Sequence, residues 1–258
     1  MHDAGAQLGQ DIARFAHDPN ADELGAALLV GRALADEFDS PRCRLLLEQL
    51  AEQCPAGSEP WTFLADLGFG GAGDNTDAID NSRLDWVLDH RQGIPISLGV
   101  LLIYIAKRTG HGAVGINFPG HFLVRVGTQL VDPLVMAAVS EDQCLDQLGQ
   151  GGQPPPGQDV FQEAPPKAIL LRMLNNVKYQ YVSAAQWDRA LDMVDWQLQA
   201  QPDSGQLFME RGELWNRLGG ATAAREAYEK VLQYSKDPAL RAAAQSRLAS
   251  LPTDETIH

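Results

Sequence analysis

The stretch from Asn81 to Pro133, NSRLDWVLDHRQGIPISLGVLLIYIAKRTGHGAVGINFPGHFLVRVGTQLVDP, constrains the fold more than any other part of this chain. Ile96 to Arg108 is apolar nearly all round a helical wheel until Lys107 and Arg108. A helix with that surface has to be central, because a peripheral position would leave half of it in water. Pro95 suits the first helical turn, where the amide has no helical partner, and Gly110 suits the C-terminal cap. Ala113–Ile116, His121–Val126 and Gln129–Val131 then read as short strands. Alternation along the second puts Phe122, Val124 and Val126 on one face and His121, Leu123 and Arg125 on the other. Val126-Gly127-Thr128-Gln129 is a turn signal that makes the second and third strands antiparallel neighbours. The segment thus delivers one histidine, His121, and one aspartate, Asp132, behind a buried helix.

Upstream, residues 5 to 68 read as helices. Leu24, Leu28, Leu29, Ala33 and Leu34 recur at helical intervals, and Ser40-Pro41 gives a serine cap and a first-turn proline to a helix bearing Leu45, Leu46, Leu47 and Leu50. Trp61, Phe63, Leu64 and Leu67 form a further apolar set. Gly68 to Asp77 is a loop by composition. Asp80 to His90 is a short helix with Leu84, Val87 and Leu88 inward. Gly149 to Gly157, GQGGQPPPG, is a proline-stiffened linker without periodicity.

Beyond the linker the chain is helical and repeats. Leu174, Tyr181, Ala190 and Val194 align with Phe208, Trp215, Ala224 and Tyr228, each 34 residues later. The spacing resembles the tetratricopeptide pattern, in which small residues let two antiparallel helices approach closely. Two units and a closing helix from Pro238 to Leu251 are fewer than such arrays need alone, so this one is expected to lean on the first domain. The organisation expected is residues 1–148 as a helical region plus the His–Asp domain, 149–166 as linker, 167–253 as helical repeat and 254–258 as tail.

Charge narrows the partners. A formal charge of −14 and a pI near 4.7 leave no basic surplus to neutralise phosphates, which argues against nucleic acid. The longest apolar run contains Pro95, Ser97 and Gly99 and is too short to span a bilayer. The N-terminus lacks the basic start and apolar core of a signal peptide. Three cysteines (Cys43, Cys54, Cys144) without CxxC spacing read as reduced thiols in a cytoplasmic protein. The histidines show no HxxxH or HxH pattern, so neither metal nor cofactor is expected. The acidic residues Asp74, Asp77 and Asp80 lack the order of a calcium loop and read as a solvated segment. A protein or peptide partner of unspecified identity remains.

NSRLDWVLDHRQGIPISL, NFPGHFLVR, LVDP and the Gly68–Gly70 block together resemble the bacterial SirB-type family, over nearly the whole chain beyond its first 20 or so residues. Its members join a transglutaminase-like domain to a short tetratricopeptide-like tail. The resemblance implies an α+β fold: N-terminal helices, a papain-like core of one central helix against a small antiparallel sheet, then an all-α tail. It also implies that His121 is the family histidine, Asp132 the aspartate orienting it, and Pro95 the residue at the nucleophilic cysteine's position. Proline cannot be a nucleophile.

Three readings follow. A protein that has lost the cysteine serves as a non-catalytic interaction or regulatory protein. A hydrolase or acyl-transfer enzyme uses His121 and Asp132 with Ser97, at the helix N-terminus, or with an activated water. A cleft that binds a peptide or amide without turnover uses Arg125, Asn81 and Arg91 as ligand contacts. Beside these stand the plain alternatives: Arg91 pairing with Asp85 or Asp89, Arg125 in a structural ion pair, and Asp132 accepting from His121 Nδ1 to satisfy both groups without chemistry.

Overall fold

A computed structural model describes residues 2–35, 37–73, 79–151 and 159–252. It has two compact units: Asp18–Met173, and the chain before Asp18 together with that from Leu174 onward. Helix α1 (His2–Phe15) therefore belongs with the C-terminal helices.

The unit spanning 18–173 is α+β. Helices α2 (Glu23–Leu34), α3 (Ser40–Gln53) and α4 (Pro60–Asp66) lead to a two-residue strand β1 (Gly70–Gly71), a 3-10 turn at Ile79–Ser82, α5 (Leu84–His90) and a second two-residue strand β2 (Gln92–Gly93). Strands β1 and β2 pair in parallel. Then come α6 (Pro95–Arg108), β3 (Ala113–Ile116), β4 (Leu123–Val126), β5 (Gln129–Asp132), β6 (Ala137–Val139), α7 (Glu141–Gly151) and the first turns of α8 (Pro166–Ser183). The sheet β3-β4-β5-β6 is antiparallel throughout, in sequential order.

Everything in this unit is arranged about α6. Ile96, Leu98, Val100, Leu101, Leu102, Ile103, Ile105 and Ala106 are each no more than 1% exposed. Helices α2, α3, α4 and α5 pack on α6, and so do β3 and β4. Burying each such Leu or Ile contributes roughly 1.5–3 kcal/mol, so this helix carries much of the unit's hydrophobic stabilisation. Two glycines admit the ring that joins helix to sheet. A Cβ on Gly99 would stand 2.6 Å from Phe122, and one on Gly115 2.5 Å from it. The opposite face of the sheet is covered too: Ile116, Leu123 and Leu130 form a core cluster with Cys144 of α7, Phe118 and Val160.

Local chemistry adjusts several boundaries. The cap of α3 is Asp39, whose carboxylate accepts the Arg42 amide at 2.9 Å, so Ser40 and Pro41 both lie inside the first turn. Strand β6 and helix α7 have no counterpart in the sequence reading. The loop read at 68–77 contains β1, and its residues 74–77 lie outside the described residues. Of the segment read as linker, residues 152–158 lie outside the described residues; Glu163 bridges to Ile116 and the Ala164 amide donates to Gly115 O at 2.8 Å. The tail read at 254–258 is outside them as well.

In the second unit α8 continues from Leu174 and is followed by α9 (Trp187–Ala200), α10 (Gly205–Arg217), α11 (Ala221–Tyr234) and α12 (Pro238–Ser250). The period of the sequence is a period of the backbone. Helices α9 and α11 begin and end 34 residues apart, and α8 and α10 end 34 apart. The turns repeat as well: Gln186 N donates to Tyr181 O at 2.8 Å and Gly220 N to Trp215 O at 2.9 Å. Ala185 and Gly219 both take positive φ, 54° and 78°. Ala190, Ala224, Val194 and Tyr228 are fully buried. Tyr228 lies under Gly212, where any Cβ would be 2.4 Å from its ring. Lys178 is buried and donates to Gln197 Oε1 at 2.9 Å and Glu210 Oε2 at 2.5 Å, tying three helices together. Helix α1 packs on α9, with Gly5 and Gly9 against Trp196.

Two substitutions test this register. Left-handed backbone costs an L-residue roughly 1–2 kcal/mol, part of which glycine gives back as chain entropy, so Ala185→Gly is expected to raise unfolding free energy by about 0.5–1 kcal/mol. The Tyr228 hydroxyl is buried without a hydrogen-bond partner among the described residues, so Tyr228→Phe is expected to stabilise by about 1 kcal/mol. Urea titration at constant m-value reads both, and destabilisation by either would contradict the placement.

Candidate functional site

His121 and Asp132 meet. The ring nitrogen Nε2 lies 2.8 Å from Asp132 Oδ1, with 23% of the histidine and 15% of the aspartate side chain exposed. The pairing follows from register: Val124 opposes Val131 and Arg125 opposes Leu130, which brings the start of β4 beside the end of β5. The contact is through Nε2, not the Nδ1 expected from sequence, so with Asp132 accepting, the imidazole lone pair sits on Nδ1. Nδ1 has no hydrogen-bond partner among the described residues. Asp132 Oδ1 also accepts the Leu134 amide at 2.8 Å, and Leu134 O accepts from Gly71 N at 2.8 Å. The aspartate therefore fixes the turn into β6 as well as the histidine. That turn holds Met136 at φ 48°.

Asp132 lies on the α7 face of the sheet. Side chains directly opposite each other in an antiparallel pair share a face, and faces alternate along a strand. Leu123 and Leu130 point to the cluster with Cys144, and Asp132, two residues along β5 from Leu130, has their parity; β4 begins at Leu123, so His121, read as the first residue of that strand, stands in the bend before it. Phe122 and Val124 point the other way, toward Gly99 of α6. Asp132 is near enough to Cys144 to help burial hold that thiol above its ordinary range.

The N-terminus of α6 is closed by its own hydrogen bonds. Pro95 occupies the first turn. Ser97 is fully buried; its hydroxyl donates to Asn81 O at 2.7 Å and accepts the Ile94 amide at 3.1 Å. The hydroxyl is thus a reciprocal cap that also ties α6 to the turn before α5. Ser97 shares no hydrogen bond with His121 or Asp132.

The remaining candidates are dispersed. Asn81 is buried in the 3-10 turn, and its carbonyl serves Ser97 and Ile94. Arg91 is an exposed left-handed residue at φ 60° ending α5, and its guanidinium donates to Leu67 O at 2.6 Å. Asp85 pairs instead with Arg83 at 2.6 Å, and Asp89 with Arg42 at 2.7 Å. Arg125 pairs with Glu141 of α7 at 3.5 Å. Of the acidic loop, Asp80 contacts Arg83 at 3.1 Å, while Asp74 and Asp77 lie outside the described residues. Among the described residues no group of three His, Cys, Asp or Glu could hold a metal, and no helix is long and apolar enough to cross a membrane.

Two residues at the site had no part in the sequence reading. Arg172 of α8 donates to Asn117 Oδ1, to Phe118 O at 3.2 Å and to His121 O at 2.7 Å. Asn117 lies inside the NFPGH block, but Arg172 stands 51 residues after His121 with no local motif to mark it.

Residues 61–175 match the model of the Transglutaminase-like superfamily, to which this part of the chain is similar. More narrowly, the relatives are UPF0162 proteins, which bears out the resemblance to the SirB type. The UPF0162 protein of Xylella fastidiosa (strain 9a5c) is 33% identical over 177 residues, 65% of this chain and 63% of the relative. UPF0162 protein PA3419 of Pseudomonas aeruginosa is 29% identical over 184 residues, covering 69% and 68%. Protein SirB1 of Salmonella typhimurium is 26% identical over 143 residues, covering 52% and 53%. The match thus spans under two thirds of the Xylella protein's own length. No solved structure matches the chain.

The thiols and the cap give measurable consequences. Cys43, Cys54 and Cys144 are free and buried. Burial, reinforced by Asp85, pushes the Cys43 thiol up to about 11. Iodoacetamide at pH 8 is expected to modify none of the three in the native protein and all three after unfolding; a thiol reacting at the free-cysteine rate would contradict their placement. Because the fold favours protonated Cys43, its contribution is present below the unfolded thiol's pKa and is lost as pH rises from 9.0 through about 11. Stability of Cys43→Ala should therefore fall less steeply over that range. Ser97→Ala leaves a buried amide and carbonyl short of a partner, at an expected cost of about 1–3 kcal/mol in urea unfolding.

Proposed function

We propose that this chain is a non-catalytic protein of the SirB type, a transglutaminase-like fold without its nucleophile that acts by binding a protein or peptide partner. The observation that carries the proposal is the N-terminus of α6. Pro95, which the family resemblance puts at the nucleophile's position, occupies the first turn, and the hydroxyl of that turn, Ser97, is buried and donates its proton to Asn81 O. A nucleophile needs an open approach and a base within reach; Ser97 is fully buried and shares no hydrogen bond with His121. The partner-binding half of the proposal draws on the 34-residue helical repeat, read as a tetratricopeptide-like array. On its first helix Tyr179, 71% exposed, and Val182, 37% exposed, lie one turn apart with their apolar surface in water.

A second reading has one observation in its favour. Nδ1 of His121 has no hydrogen-bond partner among the described residues and the side chain is partly exposed, which is what a base activating a water would need. One experiment separates the two. Purified protein is assayed for amide and ester hydrolysis and for amine transfer to glutamine peptides, beside His121→Ala. Equal background rates are expected; a turnover present in the wild type and at least about tenfold lower in His121→Ala would establish catalysis. For the binding half, Tyr179→Ala/Val182→Ala is expected to lose the partner that the wild type retains on affinity capture, without loss of cooperative unfolding. An unchanged partner set would remove the array from the account.

A further inference from the structure

In the 18–173 unit Arg42, Arg83, Lys107 and Arg125 each meet a carboxylate, and the exposed Arg91 a backbone carbonyl. Arg172 is partly buried and meets no carboxylate among the described residues. Its Nη1 donates to Asn117 Oδ1 and to Phe118 O at 3.2 Å, its Nη2 donates to His121 O at 2.7 Å, and its Cζ stands 5.7 Å from the centroid of the Phe122 ring. A partly buried guanidinium served only by neutral oxygens is expensive, since no counter-charge offsets its lost hydration. Burial accordingly pulls its pKa down, with no charged neighbour opposing it. A contact of that cost needs a return, and its acceptors say where the return is. They span Asn117 to His121, the turn that delivers the histidine to the sheet, and the guanidinium rests on the next residue, Phe122.

The geometry also shows why an arginine is required. Three acceptors from three residues are reached at once by one planar, five-donor group. An ammonium is a point donor and cannot span them. Beside the guanidinium the turn is held by backbone bonds and one buried ring: Asn117 N donates to Gln162 O at 3.0 Å, His121 N to Phe118 O at 3.2 Å and Phe118 N to Ile116 O at 3.0 Å, Phe118 lies in the core cluster, and Gly120 takes φ 72°. The imidazole then depends on one bond, Nε2 to Asp132 at 2.8 Å.

We infer that Arg172 is the positioning residue of the His121–Asp132 pair, a guanidinium pin that fixes the 117–121 turn and thereby selects the Nε2–H tautomer facing Asp132. The pin is supplied by α8, the helix that runs on from Met173 into the repeat. It serves a base and a ligand-binding histidine alike, so it stands or falls apart from the proposed absence of turnover.

The test is the tautomer of His121, read from its ring nitrogen chemical shifts in the full-length protein, together with amide hydrogen exchange. In the wild type the Nε2–H form is expected to dominate. In Arg172→Ala the two tautomers are expected to mix and the His121 amide to exchange about tenfold faster or more. Arg172→Lys is expected to behave as Arg172→Ala; full rescue by lysine would mean that charge, not the fork, is what counts, and would overturn the pin. Leu47→Ala, in the core of the same unit, controls for simple destabilisation and should leave the tautomer alone. Should Arg172→Ala not fold, Asn117→Ala removes one acceptor and reads the same signals. An unchanged tautomer and exchange rate in whichever of the two folds overturns the inference.

Discussion

The burial of α6 is the constraint from which the rest of the 18–173 unit follows. A helix apolar on nearly every side has to be enclosed, and two different layers enclose it: α2 to α5 on one side, and β3 and β4 on the other. Fitting a sheet that close needs glycine at 99 and 115, because the Phe122 ring fills the space where side chains would stand. Once Val124 is committed to α6, strand alternation commits Leu123 and Arg125 to the other face, and Leu130 and Asp132 of β5 with them. The residues with chemical capacity are therefore placed by the apolar ones. Asp132 takes its face from Leu130, and His121, in the bend before β4, bonds to it there.

That consequence gives the transglutaminase-like frame its character in this chain. The helix whose N-terminus would present a nucleophile packs on one face of the sheet, and Asp132, which holds His121, has the parity of the other. Ser97 serves its own helix, closing the first turn and bonding Asn81 O, and so belongs to the architecture that buries α6. The His121–Asp132 pair is an ordered unit on its own account, held by the Leu134 amide below it and the Arg172 guanidinium behind it. The proposal of a binding protein rests on this division between a sealed helix end and an intact, part-exposed pair.

Much of this was legible in the sequence. The central helix, three of the four main strands, the antiparallel turn and the two-faced alternation of β4 all follow from patterns within about ten residues. The 34-residue repeat was legible because each helix pair must bury the same small and large residues at the same places, down to the turn at Ala185 and Gly219. What escaped was non-local or weakly patterned. Helix α7 offers only Cys144, Leu145 and Leu148 as apolar residues among eleven, too few to mark a face. Without it nothing indicated that the Leu123 face was covered, so alternation alone could not say which side His121 would see. The role of Ser97 depends on a carbonyl 16 residues away, and that of Arg172 on acceptors 51 to 55 residues away. The segment 159–165 read as linker by composition, yet Glu163 and Ala164 close the free edge of β3.

The central claim is that the start of α6 and the His121–Asp132 pair do not form one site. The most direct measurement installs the missing thiol, Pro95→Cys, and follows its alkylation rate against pH with and without His121→Ala. A thiol beside an imidazole is held as thiolate well below the ordinary cysteine range, and the rate profile shows it. The account predicts the profile of an isolated thiol, the same in both backgrounds. A low-pH inflection that disappears with His121→Ala would place the two groups together and contradict it.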